Sequence, residues 1–383
     1  MLTKARIMAP GPTEIPPSVL AAAAQPILHH RTEEFRAIFS EVSEKLRSVF
    51  LTKHPVLLMS ASGTGGLEAA LTNLTVEGDT VIVISGGVFG ERWAKIAEAH
   101  KRKVHRINVE WGKAVDIEAI RAAIKAVPNA ALICATQSET STGVVHPIKL
   151  IAEVTRESSI PLAVDAVSGL AAGELRMDEW GIDVVISGSQ KGLMIPPGVA
   201  FLALNDRAWK QVETKAAPSF YFSLLQARAK LTEEKLPDTP WTPSISLICQ
   251  LQVSLRLIEA EGMEAIWARH ELLARATREA AKAMGLTLLA PTAPNPGVTA
   301  ILSPEGLDSG KIVGKLRREW GISIVGGQGK LKGKIFRIGH MGYCDRTDVL
   351  MTIAALEIVM NDLGSSITLG SGVSAAQRVF LNR

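Results

Sequence analysis

Cysteine is scarce in this 383-residue chain: Cys134, Cys249 and Cys344 stand far apart and are odd in number. With no Cys-x-x-Cys pair, neither a disulfide framework nor a zinc site is indicated, and a reducing cytoplasm is expected. Aromatic residues make up only 5% of the chain. Basic residues are scattered, apart from His100-Lys101-Arg102-Lys103 and a glycine-spaced cluster over 330–334. A nucleic-acid surface needs a basic face interleaved with aromatics, so no nucleic-acid partner is expected. Neither sign of charge is in excess, with 42 basic side chains against 38 acidic ones. No stretch approaches the roughly 18 consecutive apolar residues of a membrane span. The beginning, Met1-Leu2-Thr3-Lys4-Ala5-Arg6, carries no long apolar run or clear cleavage site. What is left is a globular, soluble protein, long enough for one large domain and a smaller one.

The chain does have a strong alternation of element types. Proline and alanine enrich residues 1–30, where Pro10-Gly11-Pro12 and Pro16-Pro17 fix extended backbone, so residues 1–14 read as an arm. Apolar residues then recur at helical spacing from Thr32 to Phe50. Seven short apolar runs follow: Val56–Met59, Thr80–Ile84, Val104–Val109, Ala131–Ala135, Leu162–Val164, Val184–Ile186 and Val199–Leu204. Strands apolar throughout, mostly separated by amphipathic helices, predict a mostly parallel sheet covered on both faces. This large α/β domain is assigned to residues 15–255. A long helical pattern runs from Ser244 to Ala283, interrupted only by Gly262. Shorter strand and helix signals follow it, including strands at Leu286–Leu289, Val298–Leu302 and Lys334–Ile338. A smaller α+β domain is assigned to 256–383, its tail from Ser365 loosely held or packed on a neighbour.

Chemistry concentrates where strands end. Val184-Val185-Ile186 runs into Ser187-Gly188-Ser189-Gln190-Lys191-Gly192, so a buried strand presents a lysine. Asp165 ends the preceding apolar run, at the carboxyl end of its strand, where ligands bind in open α/β sheets. Asp165 could cap a helix instead. Taken with Lys191, it matches the two contacts that make pyridoxal phosphate an electron sink: a carboxylate for the pyridine nitrogen and an amine for the aldehyde. Ser60-Ala61-Ser62-Gly63-Thr64-Gly65-Gly66 opens a helix, leaving N–H donors for a phosphate or making a plain turn. It is neither a Walker loop nor a dinucleotide fingerprint. Arg337, flanked by apolar strand residues, either forms an internal salt bridge or receives a substrate carboxylate.

In this order the pieces resemble class V aminotransferases of fold type I, in the alanine/serine–glyoxylate (or pyruvate) branch. The resemblance spans Ala9-Pro10-Gly11-Pro12-Thr13 to Arg337 and is carried by Gly87-Val88-Phe89-Gly90-Glu91-Arg92-Trp93, Glu139-Thr140-Ser141-Thr142-Gly143-Val144, Val164-Asp165-Ala166-Val167-Ser168 and Trp180-Gly181-Ile182-Asp183 through Pro196-Pro197-Gly198. It implies pyridoxal 5′-phosphate, held by Lys191 as an imine and by Asp165 at the ring nitrogen. Ser62, Gly63 and Thr64, helped by Gln190, would bind the phosphate. Phe89, with Trp93 as rival, would stack on the ring; Thr140 would face its hydroxyl and Val167 its other face. Arg337 would hold the substrate carboxylate. The resemblance further implies a homodimer with shared active sites, Thr242 (with Thr239 behind it) reaching the partner's phosphate, although this chain lacks the tyrosine some members place there.

The expected reaction moves an amino group from alanine or serine to glyoxylate or pyruvate. A single evident carboxylate-binding arginine disfavours aspartate, though Arg31, Arg92 and Arg228 are spare. Aspartate, 2-aminoethylphosphonate and ureidoglycine remain alternative donors. A cysteine desulfurase would need an exposed thiol, for which Cys344 is the candidate. A non-catalytic subunit of a hydrogenase-type assembly is the third alternative.

Overall fold

The computed structural model describes residues 3–215, 219–233 and 236–382. The first two residues of the expected arm and the last residue of its tail lie outside them. Helix α1, Glu33–Phe50, buries Phe35, Phe39, Val42, Leu46 and Val49 on one stripe, and the Thr32 hydroxyl accepts from the Phe35 N–H at its start. All seven apolar runs become strands of one sheet: β1 (Val56–Met59), β2 (Thr80–Ser85), β3 (Lys103–Asn108), β4 (Leu132–Thr136), β5 (Leu162–Asp165), β6 (Val184–Gly188) and β7 (Ala200–Leu204). Their order is β1-β7-β6-β5-β4-β2-β3, and only β7 runs antiparallel to its neighbours. Helices covering the sheet include α2 (Gly63–Leu74) and α3 (Val88–Ala99).

Register explains why the site forms at one edge. Ala200 of β7 pairs with Met59 on one side and Gly188 on the other, so β1 and β6 end at the same level. Asp165 pairs with Thr136 and Ile186, placing the ends of β4 and β5 beside them. The turn after Met59, the carboxylate of Asp165 and the lysine after Gly188 therefore share one rim, beyond the strand ends.

The helical pattern from 244 to 283 is two helices, α4 (Ile245–Glu261) and α5 (Met263–Ala283), parted where Gly262 turns to φ +84°. A three-stranded antiparallel sheet follows, with β8 (Val298–Leu302), β9 (Val325–Gly326) and β10 (Ile335–Gly339) in the order β8-β10-β9. Helix α6 (Ser309–Trp320) packs against it, and α7 (Arg346–Asp362) packs against α6 and α5. The strand expected at Leu286–Leu289 is reduced to one bridge between Leu288 and Ile301. The tail is not loose: Ser371–Leu381 forms α8, packed along α5 with Ala375, Ala376 and Phe380 buried. Glycine and serine hid this helix, whose start is held by a buried carboxylate: Glu357 accepts from the N–H groups of Gly370 (2.7 Å), Gly372 (2.6 Å) and Val373 (3.3 Å).

Buried apolar side chains fall into two clusters, one from Val19 to Ile266 and one from Leu273 to Phe380. Met8 belongs to the second cluster, because Arg6–Ile7 pairs in parallel with Ile322–Ser323. The arm thus crosses from the second core to the rim of the first.

Candidate active site

Lys191 follows β6 through Ser189, whose hydroxyl donates to the Pro196 carbonyl (2.7 Å) and fixes the turn. The Lys191 ammonium is half-buried and donates to the carbonyl of Pro10 in the arm. Asp165 ends β5 with 4% of its surface exposed, and its Oδ1 accepts from the Val167 N–H (2.9 Å). Burial pushes the Asp165 carboxyl up to about 6, against the Val167 hydrogen bond. Burial likewise brings the Lys191 amine down to about 8, with the Asp165 charge pulling the other way. The two sense each other's charge without forming an ion pair.

Ser62 caps α2 in extended conformation without a side-chain capping bond, leaving the first N–H groups of the helix available to an anion. Gly63 sits so close to Val167 that a Cβ there would lie 2.6 Å from Val167 Cγ2. Gln190 Oε1, Val167 and Gly63 converge around Gly188, and Gln190 Oε1 is buried without a hydrogen-bond partner. Thr64 Oγ1 accepts from Arg92 (3.0 Å), whose guanidinium lies 4.7 Å from the centre of the Phe89 ring. Phe89 is half-buried at the first turn of α3, whereas Trp93, one turn on, is wholly buried core.

Arg337 projects from β10 with 4% of its surface exposed. Its Nη1 donates to the carbonyl of Thr140 (2.8 Å), and Nε (3.1 Å) and Nη2 (2.7 Å) donate to the carbonyl of Gly326. No carboxylate among the described residues forms an ion pair with it, and burial brings its guanidinium down to about 10, with the nearby Glu139 charge pulling the other way. A buried cation with only neutral acceptors is an incomplete site, because such a charge is costly without an anion. Thr140 is buried beside it, next to Glu139.

The structure thus gathers Lys191, Asp165, Ser62, Gly63, Thr64, Val167, Gln190, Phe89, Thr140 and Arg337 around one rim. Thr242 is not among them: it is exposed, in the segment beside Ser60, whose hydroxyl accepts from the Ser244 N–H (3.1 Å). Arg31 pairs with Asp238 (3.5 Å), and Arg228 pairs with Glu213 and stacks on Trp209. Two groups at the rim carried no assigned role in the sequence, the Pro10 carbonyl and Glu139, and Arg92 stood there only as a spare arginine. Backbone carbonyls leave no trace in residue identity, and Glu139 gave no signal beyond its place in the quoted motif.

The family model for class V aminotransferases matches residues 8–342, spanning every one of these groups. The chain is a class V aminotransferase. It is 40% identical over 99% of its length and 99% of the other's to a protein of Synechococcus sp. described as a soluble hydrogenase small subunit. It is 36% identical to the L-aspartate–glyoxylate aminotransferase of Paracoccus denitrificans, covering 98% of this chain and 96% of that one. Its fold superposes on the ureidoglycine–glyoxylate aminotransferase of Bacillus subtilis with a TM-score of 0.93, at 34% identity over the whole of both chains. The aminotransferase therefore has fold type I and uses pyridoxal 5′-phosphate. The residues present fit that group: an orphaned Gln190 oxygen, unfilled N–H donors on α2, and a buried carboxylate and amine.

Cys344, the thiol expected to be exposed, is buried at 9%, with its Sγ against the Asp345 carbonyl. Burial pushes Cys134, Cys249 and Cys344 all upward, away from the thiolate a desulfurase would need.

Proposed function

We propose that this aminotransferase takes the amino group of a small monocarboxylate amino acid, alanine or serine, and gives it to glyoxylate or pyruvate. One observation carries the reading: Arg337 is a buried cation beside Lys191 whose partners are all neutral carbonyls. A single planar fork suits one α-carboxylate. Arg92, the other arginine at the rim, is already engaged with Thr64 and the Phe89 ring, which leaves a side-chain carboxylate such as that of aspartate without its own clamp.

When bound, pyridoxal phosphate supplies an electron-poor ring that draws electrons from the substrate α-carbon. The chain's own residues do the rest. Lys191 would hold the cofactor aldehyde through Nζ and, when free, would take the substrate α-proton onto the same atom. Its depressed pKa leaves a useful neutral fraction near pH 8. Asp165, ionised above about 6 and with Oδ1 accepting from the Val167 N–H, would hold the ring nitrogen. Ser62, Gly63, Thr64 and Gln190 would take the phosphate, Phe89 and Val167 would hold the ring between them, and Thr140 would face its hydroxyl. Three unpaired thiols suit a reducing compartment, the cytoplasm, and no helix among the described residues is long and apolar enough to cross a membrane.

The working unit is a homodimer, with Thr242 of each copy, or Thr239 behind it, reaching the other's phosphate. Phe220, 77% exposed, and Tyr221, 47% exposed, cluster on Trp241 beside it, with Tyr221 stacked at 5.2 Å. In a chain so poor in aromatics, such a surface cluster is a natural place for a second copy.

A donor-by-donor half-reaction screen tests the substrate. The loaded enzyme is mixed with alanine, serine, aspartate, ureidoglycine or 2-aminoethylphosphonate, and loss of its visible band is followed. Alanine or serine is expected to discharge it fastest; an order of magnitude in favour of aspartate or the phosphonate would overturn the proposal.

A further inference from the structure

The start of α3 is capped by something its own sequence cannot supply. Gly87, the residue before the helix, has no side chain to accept from the first turn. Glu139, wholly buried, does so from another element. Its Oε2 accepts from the N–H groups of Gly90 (2.9 Å) and Phe89 (3.1 Å), and its Oε1 from the Ser141 N–H (3.3 Å) and hydroxyl. Ser141 Oγ in turn accepts from the Val88 N–H (3.0 Å). The glycine is required for this approach, since a Cβ at Gly87 would lie 2.4 Å from Glu139 Cδ.

Four donors, the Ser141 hydroxyl among them, converge on one carboxyl. Burial raises Glu139 above the usual carboxylate range, with these hydrogen bonds pulling the other way. Its place at a helix N-terminus, where the peptide dipoles present positive charge, favours the ionised form as well. The residue so gripped is Phe89, whose ring is also braced by Arg92. On the other side, the Thr140 carbonyl next to Glu139 receives Arg337.

We propose that Glu139 is a positioning residue for the cofactor: by accepting from the Phe89 and Gly90 N–H groups it fixes the height and tilt of the Phe89 ring that stacks on pyridoxal phosphate. This rests on the reading of Phe89 as the stacking residue. Glu139 does not touch the ring or the substrate; it acts through the backbone of α3. An ordinary core residue would support stability alone, whereas a positioning residue is coupled to one side chain.

The test is a double-mutant cycle read as the dissociation constant of pyridoxal phosphate, titrated into apoenzyme and followed by the visible band and its circular dichroism. Glu139→Leu keeps the bulk and removes the acceptor; Glu139→Gln keeps one acceptor oxygen. Glu139→Leu is expected to weaken binding about tenfold or more when Phe89 is present and less than about twofold in the Phe89→Ala background. Glu139→Gln is expected to restore most of the loss, with the dichroism of the bound cofactor returning alongside. Where Glu139→Leu does not fold, Glu139→Ala, which also removes the acceptor, reads the same coupling against wild type in the two backgrounds. Equal losses in both backgrounds, or none in either, would overturn the proposal while leaving Phe89 as the stacking residue. Unchanged binding in Phe89→Ala alone would sink the stacking assignment, and the proposal with it.

Discussion

Lys191 and Asp165 reinforce each other through charge, and that coupling has a measurable sign. The amine, lowered to about 8 by burial, gains its neutral, reactive fraction as pH rises through that value. Attachment of pyridoxal phosphate to the apoenzyme, timed by stopped-flow absorbance, should therefore accelerate across pH 8. The Asp165 anion helps Lys191 keep its proton, so Asp165→Asn should move the midpoint to lower pH; an unmoved or raised midpoint contradicts the coupling. Lys191→Ala should lose both the visible band and turnover. Arg337→Gln should leave the band intact and raise the half-saturating donor concentration about 10- to 100-fold, the loss of a charge-assisted fork. These three residues were legible because lysine, aspartate and arginine beside buried strands need a chemical reason to be there. Glu139 had a reason just as strong, but its partners are backbone N–H groups 49 and 50 residues away, which no local pattern encodes.

Most strands of the large sheet were readable as elements because burial on both faces makes them largely apolar, as in Leu132–Thr136 and Val184–Gly188, the edge strand Lys103–Asn108 with His105 and Arg106 being the exception. Periodicity failed at the ends of helices. Residues 244–283 keep a helical pattern across Gly262, yet the backbone there takes φ +84° and ψ 142°, which a side chain resists. Space is open around that glycine, so Gly262→Ala isolates the backbone cost, about 1–3 kcal/mol. Denaturant unfolding should show the lowered midpoint without a change in slope; an unchanged midpoint would mean that α4 and α5 can run on as one helix. The tail misled for a related reason: its Gly- and Ser-rich residues carry little propensity, and α8 exists because α5 offers it a surface and Glu357 satisfies its first turn.

At the scale of the molecule, sequence pattern indicated two bodies but not how the arm connects them. Arg6–Ile7 is stitched to Ile322–Ser323, while Pro10, a few residues on, receives the Lys191 amine. If two copies share their active sites, a charge in the aromatic cluster should loosen both the assembly and the cofactor. Trp241→Asp is expected to lower the sedimenting mass and make cofactor retention depend on protein concentration. A variant that sediments as a monomer yet binds pyridoxal phosphate undiminished would rule out sharing. Glu139 and Glu357 give the two bodies a common habit, each lending an interior carboxylate to the first turn of a helix. First-turn amides ordinarily trade hydrogen with water early, having no partner in their own helix. In deuterated solvent those of Phe89, Gly90, Gly370 and Gly372 should lag behind the other helix starts, marking where water has been kept from the backbone.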